Sequence, residues 1–77
     1  MSEWRGEGDA LVRDTRFEDF AHAMAFANLV AETAEATNHR PDIHVHDYNH
    51  VRLTLSTHSE GGVTDKDREL AQAIDQL

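Results

Sequence analysis

The stretch Val51-Arg52-Leu53-Thr54-Leu55-Ser56-Thr57-His58 decides the fold. Val51, Leu53 and Leu55 point to one side of a strand, and Arg52, Thr54, Ser56 and His58 to the other. An apolar face opposite a polar one predicts an antiparallel sheet covered on a single side. The cover is sought outward from this strand. Glu18 to Thr37 is rich in alanine and reads as a helix, with Phe20, Met24, Ala27, Ala31 and Ala34 as its apolar stripe and Ala23 and Val30 widening it. Glu18 and Asp19 are placed in its first turn, Asn38 ends it, and Pro41 forbids continuation. Such small residues predict close packing onto a sheet.

The remaining pieces fit that frame. Trp4 to Asp9, with Gly6 and Gly8, reads as a turn or the end of an edge strand. Ala10 to Phe17 alternates as a strand, with Leu11, Arg13, Thr15 and Phe17 on one face and Val12, Asp14 and Arg16 on the other. Ile43 to Tyr48 is a strand centred on Val45, followed by a bend or bulge at Asp47-Tyr48-Asn49. Ser59 to Gly62 is a loop. Thr64 and Asp67 then have capping-box spacing and open a last helix with Leu70, Ala73, Ile74 and Leu77 on one stripe. The sum is an α+β fold: one antiparallel sheet of about four strands, with a long helix and a C-terminal helix on one face.

Length and charge limit the function. A chain of 77 residues is a single domain, 1–77. It buries only about 60% of the surface its unfolded form exposes, so association of subunits is an expected source of stability. There is no cysteine, which removes disulfides, thiolate metal sites and thiol nucleophiles. Fifteen acidic residues against seven basic ones give a net charge of −8, and the lone lysine is Lys66. Without a basic stripe, neither direct nucleic-acid binding nor attachment to an anionic membrane surface is expected. The polar start Met1-Ser2-Glu3-Trp4-Arg5 leads into no apolar signal region, and no apolar run reaches the length of a membrane span, so a cytoplasmic location is expected.

Chemistry falls to six histidines: His22, His39, His44, His46, His50 and His58. Four readings compete. His44, His46 and His50 form a candidate zinc or nickel cluster, although their spacing matches no established zinc pattern. Ser56 and Ser59 flank His58, without the Gly-x-Ser-x-Gly turn of a hydroxyl nucleophile. His39, after a helix end, and His58, at a strand end, are candidates for paired general acid and base, since imidazole titrates near neutrality. The plain alternative is that most are solvated, His22 and His50 first among them.

The stretch Asn38-His39-Arg40-Pro41-Asp42-Ile43, then Tyr48 to His58, then Gly61-Gly62-Val63-Thr64 with Asp67, Leu70 and Ala71, resembles the pterin-4a-carbinolamine dehydratases. Phe17-Glu18-Asp19-Phe20 fits the same family, and the resemblance covers about Trp4 to Leu77. It implies His39 and His58 as catalytic histidines. Glu35, four residues before His39, is implied as the residue that orients it. Arg40, Pro41, Thr57, Ser59, Glu60 and Asp67 are implied around the substrate. Arg40 stands where the family usually has a second histidine, and arginine donates hydrogen bonds but is no base near neutrality. The family's usual helical segment ahead of the tryptophan-bearing strand is also missing from this sequence. The implied activity is dehydration of a 4a-hydroxytetrahydropterin to the quinonoid dihydropterin, with no metal or organic cofactor. Homodimers or homotetramers are implied. Some members of the family also act as dimerisation partners for transcription factors, and some relatives act as RuBisCO assembly factors rather than enzymes, so a non-catalytic protein-binding module is the alternative.

Overall fold

A computed structural model of the chain describes residues 3–77, with His58 described through its backbone alone; Met1 and Ser2, at the polar start, lie outside the described residues. The element order is β1 (Arg5–Glu7), β2 (Ala10–Arg16), α1 (Phe20–Thr37), β3 (Asp42–His46), β4 (His50–Leu55), a 3-10 turn (His58–Glu60) and α2 (Asp65–Asp75). The sheet runs β1-β2-β4-β3, and every neighbouring pair is antiparallel. The α+β prediction holds.

β4 is one of the two inner strands, and its faces divide as its pattern predicts. Val51, Leu53 and Leu55 are all but fully buried beneath the helices. The register sets Leu11, Arg13 and Thr15 of β2 against Leu55, Leu53 and Val51, so these share the covered face. The other face is polar apart from Ala10 and Val12, and Val12 lies mid-sheet between Arg5 of β1 and Thr54 of β4 and is buried there. On that open face Asp14 accepts hydrogen bonds from Arg52 (2.8 Å) and Arg5 (2.7 Å), and these hold its pKa down at about 2.

Two helix stripes differ from expectation. In α1 the buried residues are Ala23, Phe26, Ala27, Val30 and Ala34, whereas Phe20 and Met24 are exposed. The small alanines leave the buried face underdetermined, and Phe26 settles it. Its ring packs against Phe17 with centroids 5.0 Å apart, and the Arg13 guanidinium lies 5.5 Å from its centroid. Glu18 and Asp19 precede the helix, and Asp19 is its N-cap, accepting from the His22 N–H at 2.8 Å. In α2, Leu70, Ala71 and Ile74 are buried with Asp67, while Leu77 is half exposed beyond the helix. Arg13 and Trp4 both donate to Asp75 Oδ1 at 3.0 Å, which ties the C-terminal end of α2 to the sheet.

Tyr48 falls outside β3, which ends at His46. Asp47 and Tyr48 both take left-handed backbone angles (φ 48° and 52°), so the predicted bend is a tight hairpin turn. Buried Asn49 fixes it by exchanging hydrogen bonds with Phe17: the Phe17 N–H donates to Asn49 O, and Asn49 Nδ2 donates to Phe17 O. No helix among the described residues is long and apolar enough to cross a membrane.

Candidate functional site

The site grows from the end of α1. Asn38 follows the helix in the left-handed conformation (φ 54°), and its N–H reaches back to Glu35 O. The next N–H, of His39, bonds to Ala34 O at 3.2 Å. These are the two bonds of a Schellman closure, and asparagine tolerates the angle better than residues other than glycine. The closure turns the chain so that His39 meets the start of α2.

There His39 Nε2 lies 2.5 Å from Asp67 Oδ1. Asp67 is fully buried, and its other oxygen is also taken: Thr57 Oγ1 donates to Oδ2 at 2.8 Å and the Thr64 N–H at 2.9 Å. Thr57 and Thr64 join their hydroxyls at 2.9 Å. Burial pushes the Asp67 carboxyl up and is the largest single influence. The bonds from His39, the Thr64 amide and Thr57 together outweigh it, and the net shift is down. Asp67 is therefore ionised and can only accept. It follows that Nε2 of His39 carries a hydrogen, which leaves Nδ1 as the nitrogen that can gain or lose a proton.

Three residues implied at the site have partners of their own. The Glu35 carboxylate holds the Arg40 guanidinium, which lowers the Glu35 pKa. The carboxylate against His39 is that of Asp67, which is fully buried and bonded through both oxygens. Thr57 likewise spends its hydroxyl on Asp67 and Thr64. The capping-box spacing of Thr64 and Asp67 marked this carboxylate as a helix-start residue; no local signal showed that His39, far away in sequence, shares it.

Two clefts flank the His39-Arg40 step. One of about 460 Å³, within the usual range for small-ligand sites, is lined by Arg40, Asp42, Thr54, Ser56 and Gly62 among others. The other, about 290 Å³, is lined by His39, Asn38, Thr37, Lys66 and Glu69. Adjacent residues of one segment thus line different clefts. Ser56 and Gly61-Gly62 bracket the turn that carries His58, and the left-handed Gly61 (φ 73°) lets the chain reverse so that Thr57 and Gly62 pair. The imidazole of His58 lies outside the description. Ser59 and Glu60 are exposed on that same turn, and Pro41 is half-buried.

The decisive comparison concerns the whole chain: residues 1–77 match the family model described as pterin 4 alpha carbinolamine dehydratase. The chain belongs to that family. It is 54% identical over 78 residues to a Gloeobacter violaceus protein named "Putative pterin-4-alpha-carbinolamine dehydratase 2", covering 96% of this chain and 84% of that one. A Thermomicrobium roseum relative of the same name, without the number, is 50% identical over 74 residues, covering 96% and 78%. Among solved structures, a transcriptional coactivator/pterin dehydratase from Brucella melitensis superposes with a TM-score of 0.87 at 36% identity, over 96% of this chain and 80% of the other. A pterin dehydratase-like protein identified as a RuBisCO assembly factor has the same fold, with a TM-score of 0.75 at 24% identity over 99% and 88%.

Two groups of described residues bring three possible metal-ligand atoms within 4.8 Å of one another: His46, Asp47 and His50, and Glu18, Asp19 and His22. Neither includes His39. The second is wholly exposed at the start of α1, and there His22 Nδ1 is already 2.7 Å from Asp19 Oδ1.

Proposed function

We propose that the protein dehydrates a 4a-hydroxytetrahydropterin by histidine general acid/base catalysis. The leaving hydroxyl takes a proton and departs as water, a ring nitrogen of the pterin gives one up, and the product is the quinonoid dihydropterin. His39 and His58 carry these two transfers. The single observation that supports this reading best is the buried Asp67 held against His39 Nε2. A histidine fixed in one tautomer by an ionised, desolvated carboxylate presents Nδ1 ready to exchange a proton, without reorganisation during the reaction. Arg40 and Pro41, with Ser59 and Glu60 on the turn of His58, bound the pterin; Arg40 donates to a ring carbonyl. Thr57 acts one step back, by holding Asp67. No metal takes part in the reaction. The exposed Phe20, Met24 and Leu29 of α1 offer an apolar surface for the homodimer or homotetramer.

The Glu35–Arg40 pair favours a second reading, a non-catalytic protein-binding relative, because a cation locked to a carboxylate replaces a titratable histidine. The deciding experiment is the dehydration rate of a synthetic 4a-hydroxytetrahydropterin with the native chain, His39→Ala and His58→Ala. A rate above background that collapses in both variants supports the enzyme. A native rate at background refutes it and leaves the binding module.

A further inference from the structure

We propose that the tip of the β3–β4 hairpin binds a divalent first-row transition metal, zinc being the probe, through His46, His50 and Asp47. The register makes His46 and His50 the last pair before the turn, so both imidazoles stand on the open face of the sheet. Their rings stack with centroids 5.2 Å apart, and His46 Nδ1 is 3.2 Å from Asp47 Oδ2. One donor atom from each of the three residues lies within 4.8 Å of the others. Ligands of one tetrahedral zinc, at about 2.0–2.2 Å from it, are closer together than that, so small side-chain rotations complete the site.

A further observation supports the inference. His50 Nδ1 is buried and has no hydrogen-bond partner among the described residues. Buried polar nitrogens normally have one, and a metal bond gives this ring a use. His44, two residues before His46 on the same face, sets its ring edge-on to that of His46 at 5.3 Å but is not one of the three residues whose donor atoms converge. Imidazole nitrogens with one carboxylate suit zinc, nickel or copper; magnesium and calcium require oxygen throughout. Arg16 stands opposite His50 in the register and works against a dication, while the net charge of −8 works for it. The site sits at the far end of β3 from His39, about 13 Å of strand away, and it does not depend on the dehydratase reading.

The test uses the full chain, stripped with chelator and dialysed, then titrated with zinc and separately with magnesium by calorimetry and by competition with a chromophoric chelator. Saturable uptake of zinc at micromolar concentration is expected, with no magnesium uptake at millimolar. His46→Asn and His50→Gln each weaken zinc binding at least about tenfold, while His22→Ala leaves it unchanged. Far-UV circular dichroism of each variant checks folding. Cobalt substitution, read by its visible absorption, reports imidazole ligation in the native chain even if a variant unfolds. Absence of saturable zinc uptake, or uptake lost in His22→Ala but kept in His46→Asn and His50→Gln, overturns the proposal.

Discussion

Asp67→Ala is the most informative single change, because one fully buried carboxylate holds the helix start, a strand-end threonine and His39 together. Removing it deprives three donors of an acceptor. Thr57 can turn to Thr64 Oγ1, already 2.9 Å away, and His39, with a side chain 17% exposed, can reach water. The Thr64 amide loses the acceptor that caps the start of α2. Bonds to an ionised acceptor contribute about 1.5–3 kcal/mol each, part of which is offset because the charge no longer needs to be buried. The net loss is about 2–4 kcal/mol. A domain of this length has about 4–12 kcal/mol in all, so the variant is severely weakened, and Tm falls by about 10–25 °C. Asp67→Asn separates stability from chemistry. Its carbonyl oxygen still serves Thr64 and Thr57, so the loss is about 1–2 kcal/mol. Its amide then donates to His39 Nε2, which forces the opposite tautomer, and the dehydration rate drops by about 10²-fold or more. Urea unfolding at fixed protein concentration, paired with the dehydration assay, reads both effects. An Asp67→Ala loss under about 1 kcal/mol, or an Asp67→Asn variant with native activity, refutes the reasoning.

The acid limb gives a signed prediction. The folded pKa of Asp67 lies below its unfolded value, so its contribution to stability is present in full above about pH 4 and is lost as pH falls through the lower folded pKa; the stability gap between native and Asp67→Asn protein, followed by urea titration from pH 7 to pH 3, should narrow at the acid end. Asp14, with a pKa of about 2, acts over the same range, but its pairs with Arg5 and Arg52 are more than a third exposed, and Asp14→Ala should cost no more than about 1 kcal/mol in thermal melts. Asn38→Ala places a side chain that resists the left-handed angle at the α1 closure and should lose about 1 kcal/mol, whereas Asn38→Gly should match or exceed the native Tm. Arg40→His releases Glu35 and restores a titratable ring; the dehydration rate should rise, and an unchanged or lower rate would show that arginine is the suited residue here.

The sheet was legible because its signal is local. Alternation along Val51-Arg52-Leu53-Thr54-Leu55 follows from the two-residue period of a strand, whatever lies above it. Both helix boundaries were close for the same reason: Asn38 and Thr64 act on their own turns. The buried face of α1 was read only in part: Ala23, Ala27, Val30 and Ala34 are buried as expected, but alanines pack on any side and only the meeting of Phe26 with Phe17 and Arg13 chooses the face over Phe20 and Met24. The partner of Glu35 was equally out of reach of a local reading. Four residues before His39 is near in the chain, but the Schellman closure turns His39 away from Glu35, and Arg40 takes the partner instead.

By itself, then, the sequence determined the element order, the covered and open faces of the sheet, the family resemblance and the pair of histidines worth testing, because each rests on residues adjacent in the chain or on motif spacing. Only the tertiary structure decided which carboxylate serves His39. Asp67 is 28 residues distant from it, and their 2.5 Å contact exists because α1 and α2 end and begin at the same rim of the sheet. The same is true of His46 and His50, which the hairpin register brings face to face. Partners of this kind are set by packing, and packing sums over the whole chain.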